Sequence, residues 1–126
     1  RVLSGYSAGG SFVLYTMSTK PWLFNGYFAF SPAAWYDDMT VVKEFDRFLS
    51  QRCLNTDDNI PLSLYITVGG AEHPLMSSAF AGLYNSLNIY ANDIIWNSRI
   101  NEGLEHRENP VHSVKQALDF YNSSIN

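Results

Sequence analysis

Residues 1–10 read RVLSGYSAGG, and the reading of this stretch decides the fold. Val2 to Tyr6 is a short run bounded by Gly5. Behind it, Ser11 to Ser18 reads as a helix, with Phe12, Val13, Leu14, Tyr15 and Met17 supplying apolar surface. Between them, Gly5-Tyr6-Ser7-Ala8-Gly9 matches the spacing G-x-S-x-G. A strand that turns abruptly into a helix holds its serine in a strained conformation and brings neighbouring turns close together. Glycines two residues before and after give room for that approach, so the hydroxyl stands exposed above a sheet. The helix start also places backbone N–H groups, that of Ala8 above all, where an oxyanion would develop.

Outward from the serine, the chain alternates between two kinds of segment. Lys20-Pro21 stops the first helix. Tyr27 to Phe30 reads as a strand buried on both faces, followed by the loop SPAAWYDD. Thr40 is placed to cap a helix over Val41 to Gln51, with Phe45, Phe48 and Leu49 inward. NTDDNIP is a polar loop, and LSLYITVGG is a strand ended by Gly69-Gly70. A third helix is expected from Ser77 to Tyr90. DIIWNSRI then reads as a strand and NEGLEHRENP as a loop, and a last helix opens at Pro110. Strand and helix alternate four times, which implies a mostly parallel sheet with helices on both faces, the α/β class.

Composition narrows the partners. The 126 residues carry a net charge of −4, and the few basic residues form no stripe or tail, so there is no electrostatic footprint for nucleic acid. Apolar runs are too short for a membrane-spanning helix. The lone cysteine, Cys53, has no intrachain disulfide partner, and no Cys/His spacing suits a metal. No phosphate loop or other cofactor motif is present, so neither a metal nor a cofactor is expected.

A serine nucleophile needs a base within hydrogen-bond reach and an acid to orient that base. Three histidines are available, His73, His106 and His112. Functional groups of open α/β sheets collect beyond the carboxyl ends of the strands. His106, in the loop after the last strand, satisfies that. His112, about a turn into the final helix, is the alternative base. For the acid, Glu72 follows the glycines that end a strand, and Asp37 and Asp38 form the rival site. Asp57 and Asp58 precede a strand and fall at the opposite edge. The order Ser7, Glu72, His106 is the serine, acid, histidine order of the α/β-hydrolases.

The whole chain resembles the C-terminal half of an α/β-hydrolase from the esterase family that includes esterase D-like and enterochelin-esterase-like enzymes. The resemblance is carried by the serine elbow, by Ser31-Pro32 and Trp35 after the next strand, by Gly69 and Glu72 after a later one, and by Gly103 and His106 before the last helix. It implies hydrolysis of a small carboxylic ester, with Ser7 attacking, His106 as general base and Glu72 fixing its tautomer. It also implies that Tyr6, Trp35 and Tyr36 line the substrate pocket. Strands preceding the elbow, and the loop supplying a second oxyanion N–H, belong to the full fold and are not in this chain. Residues 1–126 are therefore expected to form the C-terminal part of one domain, partnered by a missing N-terminal half. Alone they are expected to be poorly active and to self-associate through the exposed edge of the first strand. An acyltransferase on the same scaffold and a non-catalytic binding domain are the competing readings.

Overall fold

The computed structural model describes residues 1–55 and 60–125. Its elements are β1 (Val2–Tyr6), α1 (Ala8–Thr19), β2 (Gly26–Phe30), α2 (Tyr36–Leu54), β3 (Ser63–Gly69), α3 (Pro74–Tyr90), β4 (Ile95–Asn101) and α4 (Asn109–Ile125), with a 3-10 turn at Pro21–Leu23. The strands form one all-parallel sheet in the order β1-β2-β3-β4, so every connection is a helical crossover to the adjacent strand. Of the loop read from NTDDNIP, residues 56–59 lie outside the described residues, and Asp57 and Asp58 with them.

Alternation along β2 and β3 divides the core into two layers. Tyr27, Ala29, Leu64, Ile66 and Val68 point to one face, where α1 contributes Leu14 and Met17, α2 Phe45 and Leu49, and α3 Phe80, Leu83 and Leu87. Phe28, Phe30 and Tyr65 point to the other, against Ala117, Phe120 and Tyr121 of α4. β2 and β3 are buried at every position, as their near-continuous apolar runs require of central parallel strands. β1 and β4 are the outer strands and are only partly covered.

Three helix starts depart from the sequence reading by three residues or more. Helix α1 starts at Ala8 and not Ser11, because the glycines at 9 and 10 continue the helix directly from the elbow. Helix α3 starts at Pro74 and not Ser77. Proline suits a first helical position, and His73 caps the turn by accepting a hydrogen bond from the Leu75 N–H at 3.1 Å. Helix α2 starts five residues early, and Asp37, Asp38 and Met39 within it sit at φ of 53°, 54° and 62°. Three non-glycine residues in the left-handed region cost roughly 1 kcal/mol or more apiece. Thr40 does not cap as expected: its hydroxyl donates to the Asp37 carbonyl at 2.5 Å, tying off the left-handed turn.

Candidate active site

Ser7 is the single residue between β1 and α1, and its backbone lies at φ 60°, ψ −117°. A strained serine backbone held by its neighbours is a mark of a functional turn. Two hydrogen bonds lock the elbow: the Ser7 N–H donates to the Phe30 carbonyl at 3.0 Å, and the Ser7 carbonyl accepts from the Ala33 N–H at 3.0 Å. A methyl group on Gly5 would stand 2.2 Å from the Gly9 carbonyl oxygen, so helix and strand approach more closely than any side chain permits. Gly9 itself does not relieve crowding as the sequence reading supposed, since a Cβ there meets nothing within 4 Å. The second tight position is Gly10, which packs on Pro32. Ala8 is the first residue of α1, so its N–H has no acceptor within the helix.

Beyond the carboxyl ends of the strands, three side chains meet in a line. His106 Nε2 lies 2.9 Å from Ser7 Oγ, and His106 Nδ1 lies 2.5 Å from Glu72 Oε1. Two backbone bonds bring Glu72 and His106 together. The Gly70 N–H donates to the Asn101 carbonyl at 2.8 Å and the Ala71 N–H to the Leu104 carbonyl at 3.0 Å, stitching the turn after β3 to the loop after β4. Gly69 allows that approach, because a Cβ there would lie 2.3 Å from the Leu104 carbonyl oxygen. Its own N–H donates to Glu72 Oε2 at 2.6 Å. The Glu72 side chain is fully buried, whereas His106 is about a third exposed. A carboxylate only accepts, so a neutral imidazole bonded to it through Nδ1–H presents its Nε2 lone pair to the serine hydroxyl.

The line opens into a cavity of about 490 Å³ walled by Ala33, Trp35, His73, Leu75 and Met76, with Ser7, Glu72 and His106 at its polar end. A hollow of about 570 Å³ between α3 and β4 is larger, but no histidine lines it, so chemistry favours the smaller one. The three residues named for the pocket separate here. Trp35 lines the cavity. Tyr6 lies against the histidine ring, with centroids 4.8 Å apart. Tyr36 is 70% exposed and faces a neighbouring hollow with Ala8 and Val41.

The alternatives are not brought to the serine. His112 is exposed in the first turn of α4. Asp38 is solvent-facing and pairs with Lys43 at 3.0 Å, and the exposed Asp37 carboxylate lies 3.2 Å from the Thr40 oxygen. Sequence reasoning left out Met76, Leu75 and His73 as cavity wall, although His73-Pro74 is a recognisable helix start. Among the described residues no helix is long and apolar enough to cross a membrane.

A parallel sheet with a serine at a strand-to-helix elbow, and acid and histidine in successive later loops, defines an α/β-hydrolase fold. Solved structures agree. The siderophore hydrolase EstA from Aspergillus nidulans superposes with a TM-score of 0.82 at 21% identity, covering 99% of this chain and 49% of that one. The BES protein from Bacillus cereus gives 0.80 at 22%, covering 94% and 44%. In sequence, the chain is 40% identical over 52 residues to a siderophore enterobactin esterase of Emericella nidulans, 41% of this chain and 17% of that protein. It is 33% identical over 72 residues to the ferri-bacillibactin esterase BesA of Bacillus subtilis, 57% and 24%. No family model matches the chain. The chain therefore matches the enterochelin-esterase-like α/β-hydrolases over part of their length: under half of each solved structure, and under a quarter of each sequence relative.

Proposed function

We propose that this chain carries the nucleophile, base and orienting acid of a serine esterase. The observation that carries the reading is the continuous line from Glu72 Oε1 through both ring nitrogens of His106 to Ser7 Oγ. Ser7 Oγ attacks the ester carbonyl as His106 Nε2 takes its proton. The proton then passes to the departing alkoxide, leaving an acyl group on Ser7. Water, deprotonated by the same nitrogen, releases the acid. Glu72 holds the ring in the tautomer that leaves Nε2 free and stabilises the imidazolium that forms. The Ala8 N–H is one oxyanion donor. The acyl group occupies the apolar cavity against Trp35 and Met76.

The names of the relatives make siderophore esters such as enterobactin the first substrates to try. The chain spans less than half of each superposed structure. The outer strand β1 has one unpaired edge, and Phe12, Tyr15, Val111, Val114 and Leu118 are exposed on α1 and α4. These features support a working domain larger than residues 1–126, in which further strands continue the sheet beyond β1. The test is release of product from enterobactin and from an aryl ester by the full-length protein and its Ser7→Ala variant. Loss of at least roughly 10³-fold with Ser7→Ala is expected. Retained turnover would overturn the reading.

A further inference from the structure

Behind the acid, away from the serine, lies a buried polar chain that the reaction as described does not use. Glu72 Oε2 accepts from the Ser31 hydroxyl at 2.6 Å. Asn109 Nδ2 donates to Ser31 Oγ at 2.8 Å and to Thr67 Oγ1 at 3.0 Å. Thr67 Oγ1 lies 2.7 Å from Ser113 Oγ, which donates to the Asn109 carbonyl at 2.7 Å. Asn109 Oδ1 in turn accepts from Asn101 Nδ2 at 2.7 Å. Ser31, Thr67, Asn109 and Ser113 are all fully buried.

Counting protons fixes the direction of every bond. A hydroxyl has one proton, and both hydrogens of the Asn109 amide are spent on Ser31 and Thr67. Ser31 therefore accepts from Asn109 and has its own proton free for Glu72 alone. Thr67, likewise accepting, gives its proton to Ser113. Reversing the Asn109 amide would set its NH₂ against that of Asn101, two donors in contact. The Ser31 backbone is held for this purpose at φ 46°, uncommon for serine, by donation of its N–H to the Thr67 carbonyl at 2.8 Å.

We propose that Ser31 and Asn109 are positioning residues that hold the Glu72 carboxylate in the rotamer and charge state His106 requires. The inference rests on the esterase reading above. Oε2 is saturated by the Ser31 hydroxyl and the Gly69 N–H, so Oε1 is the oxygen left for the imidazole. Without the Asn109 donor, the Ser31 hydroxyl is free to rotate away. Without Ser31, Oε2 keeps a single donor and the buried carboxylate is under-satisfied.

The test is a double-mutant cycle in the full-length protein, read as kcat and KM for an aryl ester alongside Tm. Ser31→Ala and Asn109→Leu should each lower kcat by about 10-fold with KM within about twofold, the loss of one hydrogen bond to a charged group. In a Glu72→Ala background, Ser31→Ala should change kcat by less than about twofold, because its route to the histidine is already cut. Ser86→Ala serves as the structural control: it removes the 2.6 Å hydrogen bond from α3 to Asp46 of α2, outside this chain of bonds, and should lower Tm while leaving kcat within about twofold. The proposal is overturned if Ser31→Ala lowers Tm as Ser86→Ala does and leaves kcat unchanged. It is equally overturned if Ser31→Ala costs the same in the Glu72→Ala background. Should Ser31→Ala not fold, Asn109→Leu carries the same comparison. Failure of the esterase reading would show separately, as turnover that survives Ser7→Ala.

Discussion

Replacing Gly5 and Gly9 by alanine, one at a time, should move the protein in opposite directions although both belong to one five-residue motif. On Gly5 the added methyl would lie 2.2 Å from the Gly9 carbonyl oxygen and 2.4 Å from its carbon. Ordinary contact needs more than about 3.4 Å, so strand and helix must part by about 1 Å. Both partners are backbone, so no side chain can swing aside. Overpacking of this kind costs about 1–3 kcal/mol, or a fall of roughly 4–12 °C in Tm for a domain of this size. Because Ser7 sits between the separated elements, a displacement of about 1 Å should also cost on the order of 10²-fold in kcat/KM. On Gly9 the methyl meets nothing within 4 Å, and the residue is helical and exposed. Alanine there should raise stability by about 0.5 kcal/mol through helix propensity. Thermal unfolding and aryl-ester hydrolysis of both variants check the pair. Equal Tm for Gly5→Ala and the parent protein, or equal destabilisation by the two substitutions, would refute the steric account of the elbow.

Four further outcomes are expected. Glu72→Gln keeps the shape but not the charge that orders the imidazole, so kcat should fall on the order of 10²–10⁴-fold, measured by steady-state hydrolysis with the fold checked by circular dichroism. His106→Ala should abolish turnover, whereas His112→Ala, Asp37→Asn and Asp38→Asn should each stay within about twofold of the parent, the ordinary range for exposed positions. On the proposed larger domain, whose further strands would bring a second oxyanion donor, residues 1–126 alone should be slower than the full-length protein by on the order of 10²–10³-fold. The same isolated chain should sediment with a self-associated component through the outer edge of β1, and strictly monomeric behaviour would count against that edge being exposed.

How far the sequence could be read depends on the range over which each interaction acts. Strands β2 and β3 were visible because buried parallel strands need unbroken apolar runs, and helix α4 because its turn of loop, proline and amphipathic residues is local. Position beyond the carboxyl ends of strands made Glu72 and His106 candidates but left Asp37, Asp38 and His112 beside them, and only the resemblance joined the two. The register of β3 with β4 is what brings their loops together. Local surprises were of two kinds. Glycines 9 and 10 look like loop residues and are helical, since the strand directly behind them sets the chain's path. Asp37, Asp38 and Met39 form a left-handed turn; aspartate tolerates that region, but three such residues in succession, the last a methionine, exceed what local preference announces. The support behind the acid was illegible for a different reason. Ser31 and Asn109 stand 78 residues apart, and an ordinary serine and asparagine become a directed relay only when the fold buries them together.

The central claim is that Ser7 is a nucleophile activated by His106, and covalent labelling tests it without any assumption about substrate. The full-length protein and its His106→Ala variant would be treated with a fluorophosphonate and digested, and the adduct located by mass spectrometry. The account predicts stoichiometric modification on the peptide containing Ser7 in the parent protein, and a rate lower by at least roughly 10³-fold in the variant. An unlabelled Ser7 in folded parent protein, or labelling equally fast without the His106 imidazole, would contradict it.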